Sequence, residues 1–559
     1  MRLHASLLSA ALFAGLTLAN AAHATDAPTL AREAHDAYVA KDFARSADLY
    51  AAAANLDASD TSVLYNAACS AALAGRTDDA FRMLNRAVDG GWADPAHLGK
   101  DTDLASLHGD PRWLTLVAAV ARTSAQREKL WNNPALTSAW DAPLTEDQRV
   151  AGLSRLWSEA KYNFANFDLV PDLDWDAAYL QALPRVRAPQ SNEAYFKQLQ
   201  AFTALLQDGH TNIFPGKEAA DAWNARPGIN TLWLEDHVIV RDVFDPALQA
   251  TGLQRGWEIV AVEGQPVGAY ATTKVVPYVA GSTPQDRASR TFERFLLSGR
   301  GDTPVHVTVR DLSGRTHAVT LPRMPADQRQ AVVPNQAPFE WTLLPGNIAL
   351  VTLRSFGNST AADEYIRQFD EIAKADAIVF DLRDNGGGSS NVGYRILSTL
   401  TDKPFLTSAW RTRDYRPAFR AWEQGESSYR RKPEEVAPDA AHHYARPVLV
   451  LTSARTYSAA EDFLVAFDTM QRGRIVGEPT GGSTGQPLVV ALPGGMSVRI
   501  CTKRDAYPDG REFVGVGIQP QVVVRPSVAD YRAGRDTVLD AATQLLRGTA
   551  SATASSAVR

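Results

Sequence analysis

The stretch Ala377-Ile378-Val379-Phe380-Asp381-Leu382-Arg383-Asp384-Asn385-Gly386-Gly387-Gly388 decides the fold. A short apolar run bounded by a turn signal is the pattern of a strand buried on both faces. Three glycines at its end let the backbone approach a ligand closely and present successive N–H donors, a nest suited to an oxyanion. No Lys-Ser/Thr follows them, so the loop is not a phosphate loop. Working outward, the same reading gives strands at Ile348–Leu353, Val448–Leu451, Ile475–Gly477 and Leu488–Leu492. Helices are expected over Ala361–Ala373, Val392–Leu400 and Ser458–Met470. The alternation through about 340–547 predicts a helix-covered α/β sheet.

Upstream, the periodicity changes. Residues 231–241, 258–263 and 303–320 alternate as strands between turn signals, and Pro322, Pro325, Pro334 and Pro338 mark a linker into the α/β domain. Between about 141 and 216 the pattern is helical, over Arg149–Phe164, Asp176–Leu183 and Ser191–Leu206. Ser191 is a cap for the last of these, with Glu193 in its first turn. That helix ends at Gln207-Asp208-Gly209-His210-Thr211, where Gly209 suits a left-handed helix end. The Ala-rich segment 28–120 carries Ala40-Lys41-Asp42-Phe43 and Ala74-Gly75-Arg76-Thr77, 34 positions apart and each between amphipathic stretches. A 34-residue helix–turn–helix period is that of tetratricopeptide repeats. Residues 1–24 hold Arg2, an apolar run from Leu7 to Leu18 and Ala22-His23-Ala24, the layout of a cleaved export signal.

Composition narrows the classes of function. The 559 residues carry 57 Lys+Arg and 63 Asp+Glu, a net charge of −6, which gives no footprint for nucleic acid. Two cysteines, Cys69 and Cys501, exclude a disulfide scaffold and a cysteine metal cluster. No segment after the signal is apolar over the ~20 residues a membrane span needs.

Three segments carry chemistry. Thr456-Tyr457-Ser458-Ala459-Ala460-Glu461 opens a helix just after the strand Val448–Leu451. A serine at such a turn holds its hydroxyl outside the sheet beside the N–H of the next residue, a nucleophile with half an oxyanion hole. Read locally, Ser458 is first of all a helix cap with Glu461 as its capping-box partner, since serine caps are common. His210 is a general base for a hydroxyl, while His442-His443 belongs to a charged surface loop. Gly481-Gly482-Ser483-Thr484-Gly485 matches Gly-x-Ser-x-Gly in letters, but its flanks are two strands rather than the strand and helix of a nucleophile elbow. Ser483 is therefore set aside as a nucleophile, and its loop is read as bordering the site.

In order along the chain stand Asp208-Gly209-His210-Thr211, Gly252–Gly264 (a Gly-Leu start, a second glycine, then a short apolar strand), Asp381–Gly388, Tyr457–Glu461, and Gly515-Val516-Gly517-Ile518-Gln519-Pro520. This set resembles the C-terminal processing (tail-specific) serine peptidase family, and within it the tricorn-core branch. Leu156-Trp157-Ser158-Glu159-Ala160-Lys161-Tyr162 and Asp174-Trp175-Asp176 resemble that branch's helical segment. The resemblance covers roughly 141–547. It implies Ser458 as nucleophile, His210 as base, and the N–H groups of Gly387 and Ala459 as the oxyanion hole. The family's other branch uses a Ser-Lys dyad with its lysine in a glycine-rich stretch, but Gly477–Gln486 contains none. The branch's glutamate falls at Val514 here, which leaves Glu512, on the same strand face, as the implied third member. Asp208 is a second candidate.

The expected protein is multi-domain α+β. Its parts are a signal (1–24), tetratricopeptide-like helical repeats (25–120), a helical domain supplying His210 (121–217), a PDZ-like β domain (218–330), an α/β catalytic domain of ClpP/crotonase-like type (331–548) and a frayed tail (549–559). The expected activity is that of an exported, periplasmic or secreted, serine peptidase acting on peptides or unfolded chains without metal or cofactor. The PDZ-like module would take a peptide as an added strand, and the repeats would offer a surface to a protein partner. Two other readings share the fold: a non-catalytic peptide- or lipid-binding protein, and an amidase or esterase for small substrates.

Overall fold

The computed structural model describes residues 26–556 except 133, 189 and 190, with side chains as far as 548. The expected export signal lies outside the described residues, as do 557–559. The chain divides after Asn133 into two compact units.

The first unit is helical, with Ala27–Val39, Phe43–Leu56, Thr61–Leu73 and Thr77–Asp89 as its first four helices. The two turns singled out in the sequence have one geometry. Lys41 (φ +62°) and Gly75 (φ +73°) are left-handed, and the next N–H reaches back to Ala37 O at 2.9 Å and Ala71 O at 2.8 Å. That is a Schellman-type helix end repeated after 34 residues. Small side chains at Ala34, Ala53, Ala54, Ala68 and Ala80 let the helices approach, and Tyr50, Leu64, Phe81 and Leu84 fill the space between them. The expected boundary at 120/121 does not hold. It falls inside a helix running from Pro111 to Trp131, because no glycine or proline interrupts the chain between Pro111 and Pro134.

The second unit is built on a six-stranded sheet. In spatial order its strands are Phe339–Leu344, Ile348–Leu353, Ala377–Asp381, Val448–Thr452, Arg474–Gly477 and Val522–Val523. The first pair is antiparallel and the rest are parallel. Ile378, Val379, Phe380, Val450 and Leu451 are wholly buried, as strands covered on both faces must be. The helices Thr360–Arg367, Ser390–Leu397 and Ala459–Thr469 contribute to the core on one face. The helix Thr537–Ser556 packs Val538, Ala542 and Leu546 on the other, and its backbone runs through most of the tail expected to fray.

Two connections depart from the sequence reading. Pro487–Leu492 is not a strand of the main sheet. It pairs with Met496–Cys501, which pairs in turn with Asn212–Phe214. Its side chains alternate between exposed and buried at its end, the signature of a one-sided antiparallel ribbon. The stretch read as a linker, 322–338, pairs Arg323–Met324 with Arg226–Pro227 and then forms the helix Ala326–Val332.

A five-strand antiparallel run, Ile229–Leu234, His237–Val243, Glu258–Val262, Val305–Arg310 and Thr316–Leu321, forms the β domain. The helices Glu146–Asn163, Trp175–Arg187 and Asn192–Ala204 precede it. Thr145 and Gln148 form a capping box on the first, and Ser191 caps the third. Among the described residues no helix is long and apolar enough to cross a membrane.

Candidate active site

Ser458 sits where the chain leaves the strand Val448–Thr452, turns, and enters the helix Ala459–Thr469. Its backbone, at φ +58° and ψ −127°, is one that side-chain-bearing residues rarely adopt and that persists only when its surroundings hold it. Here they do. The Tyr457 N–H donates to Asn385 O at 3.0 Å and the Ser458 N–H to Ser483 O at 3.1 Å. The Ser458 N–H also faces Glu461 Oε2 at 3.1 Å. Glu461 thus takes the backbone N–H of a capping box while the Ser458 hydroxyl lies 3.1 Å from His210 Nε2.

His210 is brought in from 248 positions away by the small ribbon. Asn212 stands opposite Arg499 and Ile213 opposite Val498. Asp208, fully buried, accepts the His210 backbone N–H and the Thr211 hydroxyl on Oδ1, both at 2.9 Å, and Asn166 Nδ2 on Oδ2 at 3.1 Å. Arg499 Nε donates to His210 O at 3.1 Å. Asp208 therefore fixes the backbone of the histidine, not its ring. Gly209 is not left-handed as expected; Gln207, at φ +47°, makes that turn. Gly209 is required because a Cβ there would stand 1.8 Å from the Tyr457 hydroxyl. The Tyr457 ring stacks on the imidazole, with centroids 5.0 Å apart.

The third member is where sequence and structure part. Glu512 does not reach the imidazole. It is half-exposed and paired with Arg504 and, at 3.8 Å, with Arg411, while Val514 is packed in the core. His210 Nδ1 instead meets the Ser483 hydroxyl at 2.8 Å. The loop set aside as a decoy thus contributes the residue that holds the ring. Ser483 is wholly buried and is fixed in turn by Glu461, whose carboxylate accepts the N–H groups of Gly482 (2.8 Å) and Ser483 (3.0 Å) and the Thr480 hydroxyl (2.5 Å). Burial pushes Glu461 up to about 8 against these donated hydrogen bonds. Burial, aided by Arg499, Arg290 and Lys503, holds His210 well below its usual 6.5, so the imidazole is neutral and fit to take a proton. The letters of the glycine-rich loop were the one available signal for Ser483; nothing local marked Glu461 as anything but a cap.

The oxyanion donors also need correction. Gly387 lies against the serine, since a Cβ there would stand 2.6 Å from Ser458 Cβ, but its N–H is donated to Asn385 Oδ1 at 2.9 Å. Among the described residues the N–H groups of Ala459 and Gly388 have no acceptor. Gly388 lines the same cleft as Ser458 and His210, a cavity of about 710 Å³ between the β domain and the α/β domain. The geometry is that of nucleophilic acyl transfer: a hydroxyl, a neutral base, and free backbone donors beside both.

Residues 347–524 match the model of peptidase family S41. The chain thus carries a peptidase S41 domain. It is a serine-type peptidase, and curated relatives are named as peptidases or proteases. The chloroplastic C-terminal processing peptidase of Tetradesmus obliquus is 25% identical over 373 residues, covering 63% of this chain and 71% of that protein. The tail-specific protease of Haemophilus influenzae is 23% identical over 378 residues, covering 65% of this chain and 46% of its own length. Among solved structures, mature CPAF complexed with lactacystin superposes with a TM-score of 0.56 at 15% identity, over 72% of this chain and 99% of that one. This likeness supports the S41 fold of the second unit. Ser458, Ser483 and Gly388 lie on the matched segment, while His210 and the β-domain wall of the cleft lie outside it.

Proposed function

We propose that Ser458 is the nucleophile and His210 the general base of an exported peptidase that cleaves peptides or unfolded chains. The observation that carries this reading is the 3.1 Å contact between His210 Nε2 and the Ser458 hydroxyl across a cleft with unused N–H donors. Ser458 Oγ attacks the peptide carbonyl as its proton passes to Nε2, and the oxyanion is held by the N–H groups of Ala459 and Gly388. The C–N bond breaks as Nε2 gives that proton to the leaving amine. Water then attacks the acyl-enzyme, its proton returns through Nε2, and Ser458 is freed. Ser483 is the positioning residue. By accepting the Nδ1–H it keeps the ring in the tautomer whose Nε2 lone pair faces Ser458.

The β domain is read as PDZ-like, with the strand Glu258–Val262 inside the Gly252–Gly264 segment. The first unit is read as tetratricopeptide-like repeats that bind a protein partner. Residues 1–24 support export to the periplasm or medium. The Ser458–His210 pairing and the His-based chemistry favour the tricorn-core branch of the family. A fluorophosphonate label followed by peptide mapping tests the assignment: the label should sit on Ser458. Ser458→Ala should lower turnover by roughly 10³–10⁶-fold and His210→Ala nearly as much. Label on Ser483, or full activity in both variants, would sink the proposal.

A further inference from the structure

The cleft that holds Ser458 is lined by Arg226, Arg241, Arg290, Arg294, Arg455 and Arg499, in a chain whose overall charge is −6. Only two acids line it with them, and both are already engaged. Asp286 pairs with Arg290 at 2.6 Å and Glu293 with Arg455 at 3.3 Å. Arg241 is held by Asp384 at 2.7 Å from just outside the cleft. Arg226, Arg294 and Arg499 have no carboxylate within ion-pair distance among the described residues. Arg499 spends two of its donors on the carbonyls of Gly209 and His210.

Three guanidiniums facing one cavity without counter-charge repel each other, and the protein gains nothing from that arrangement by itself. Burial, with Arg329 and Arg294 nearby, brings Arg226 down to about 10, and Arg290 and Arg499 join burial in lowering Arg294. A carboxylate placed among them would restore the balance and would meet forked donors suited to two parallel hydrogen bonds. One chain end would satisfy one or two of these arginines. Three cations without a carboxylate partner, set on both walls of the cleft around Ser458, match more than one carboxylate.

Resting on the peptidase reading above, we infer that this cleft selects acidic peptide segments, with Asp or Glu side chains close to the scissile bond received by Arg226, Arg294 and Arg499. The positive cleft also concentrates such substrates by steering, an effect that salt screens.

The test uses the full-length enzyme and fluorogenic peptides that differ only in carrying Glu or Gln on both sides of the cleaved bond, each with a free or an amidated C-terminus. The Glu peptide should be favoured in kcat/KM by about tenfold or more at low salt, the ratio of one well-made charged contact, and the advantage should shrink as salt rises. Arg294→Gln should cut the Glu-to-Gln ratio severalfold; reading the ratio within each variant cancels any general loss of activity. Equal turnover of the two peptides overturns the inference and leaves the peptidase reading standing. A preference that ignores Glu but vanishes on amidation also overturns it, in favour of the chain end. If no peptide is cut, the peptidase reading fails, and anisotropy of the labelled peptides then judges the cleft alone. Tighter binding of the Glu peptide supports the inference, and equal binding sinks it.

Discussion

Ser483 shows how a residue's role follows from what its neighbours leave it. Its N–H is taken by Glu461 and its O by the Ser458 N–H, so its hydroxyl is the one group free to meet His210 Nδ1. Ser483→Ala leaves a buried donor unsatisfied, a loss of about 1–3 kcal/mol. It should lower kcat by roughly 10–100-fold with little change in KM. Glu512→Gln, in a residue paired with Arg504 and Arg411, should leave kcat within about twofold. The reverse ranking, read from steady-state kinetics of the two variants, would restore the glutamate to the imidazole. The histidine also sets a pH dependence. A base works when deprotonated, and burial with nearby cations holds His210 below 6.5. Activity should therefore survive at pH 6.5 and fall only as pH drops through that lower value. An acid limb of kcat/KM at or above 6.5 would contradict the described environment. Stability carries the same sign, because the unfolded chain binds the proton more readily: the neutral ring's contribution is present above about 6.5 and is lost below it.

At the level of elements, the four inner strands of the main sheet were legible because burial on both faces writes a short apolar run, whereas the two edge strands, Phe339–Leu344 and Val522–Val523, were not read. Ile348–Leu353 and Ala377–Asp381 run as read, and Val448–Thr452 is one residue longer. The ribbon was not legible. Asn212–Phe214 is three residues long and pairs with a strand near the other end of the chain, and no local periodicity announces a partner so remote. Gly209 was noticed for the wrong reason, since a sequence records a glycine but not whether it serves a positive φ or a close approach. Here the approach is between the end of the histidine segment and the Tyr457 hydroxyl. Gly209→Ala should push the imidazole off the serine and cost at least about tenfold in kcat/KM. Adding Tyr457→Phe, which removes the obstructing atom, should restore part of the loss. A double variant no better than the single one, in a double-mutant cycle of kcat/KM, would show that the contact does not set the position of the histidine.

On the scale of the whole molecule, the two units have separate cores. Every residue of the candidate site lies in the second. A chain starting at Pro134 should fold and retain peptidase activity on short peptides within a few fold of the full protein. Loss of its cooperative thermal transition by calorimetry would show the division to be wrong. The passage from helices to strands after Ala204 was readable because the periodicity changes there. The boundary after Asn133 was not, because a helix with no breaker gives no sign of where one unit stops.

The ribbon has one further consequence, for biogenesis. A ribosome that has just delivered Ser458 has not yet made the strand Met496–Cys501 that seats the histidine segment, and loop closure over such a span is slow. With Ser458 and His210 acting as proposed, hydrolytic competence is acquired near the end of synthesis and folding. A truncated or half-folded copy carries the reactive serine without its base, and the cell that makes this enzyme is spared the cutting power of its unfinished molecules.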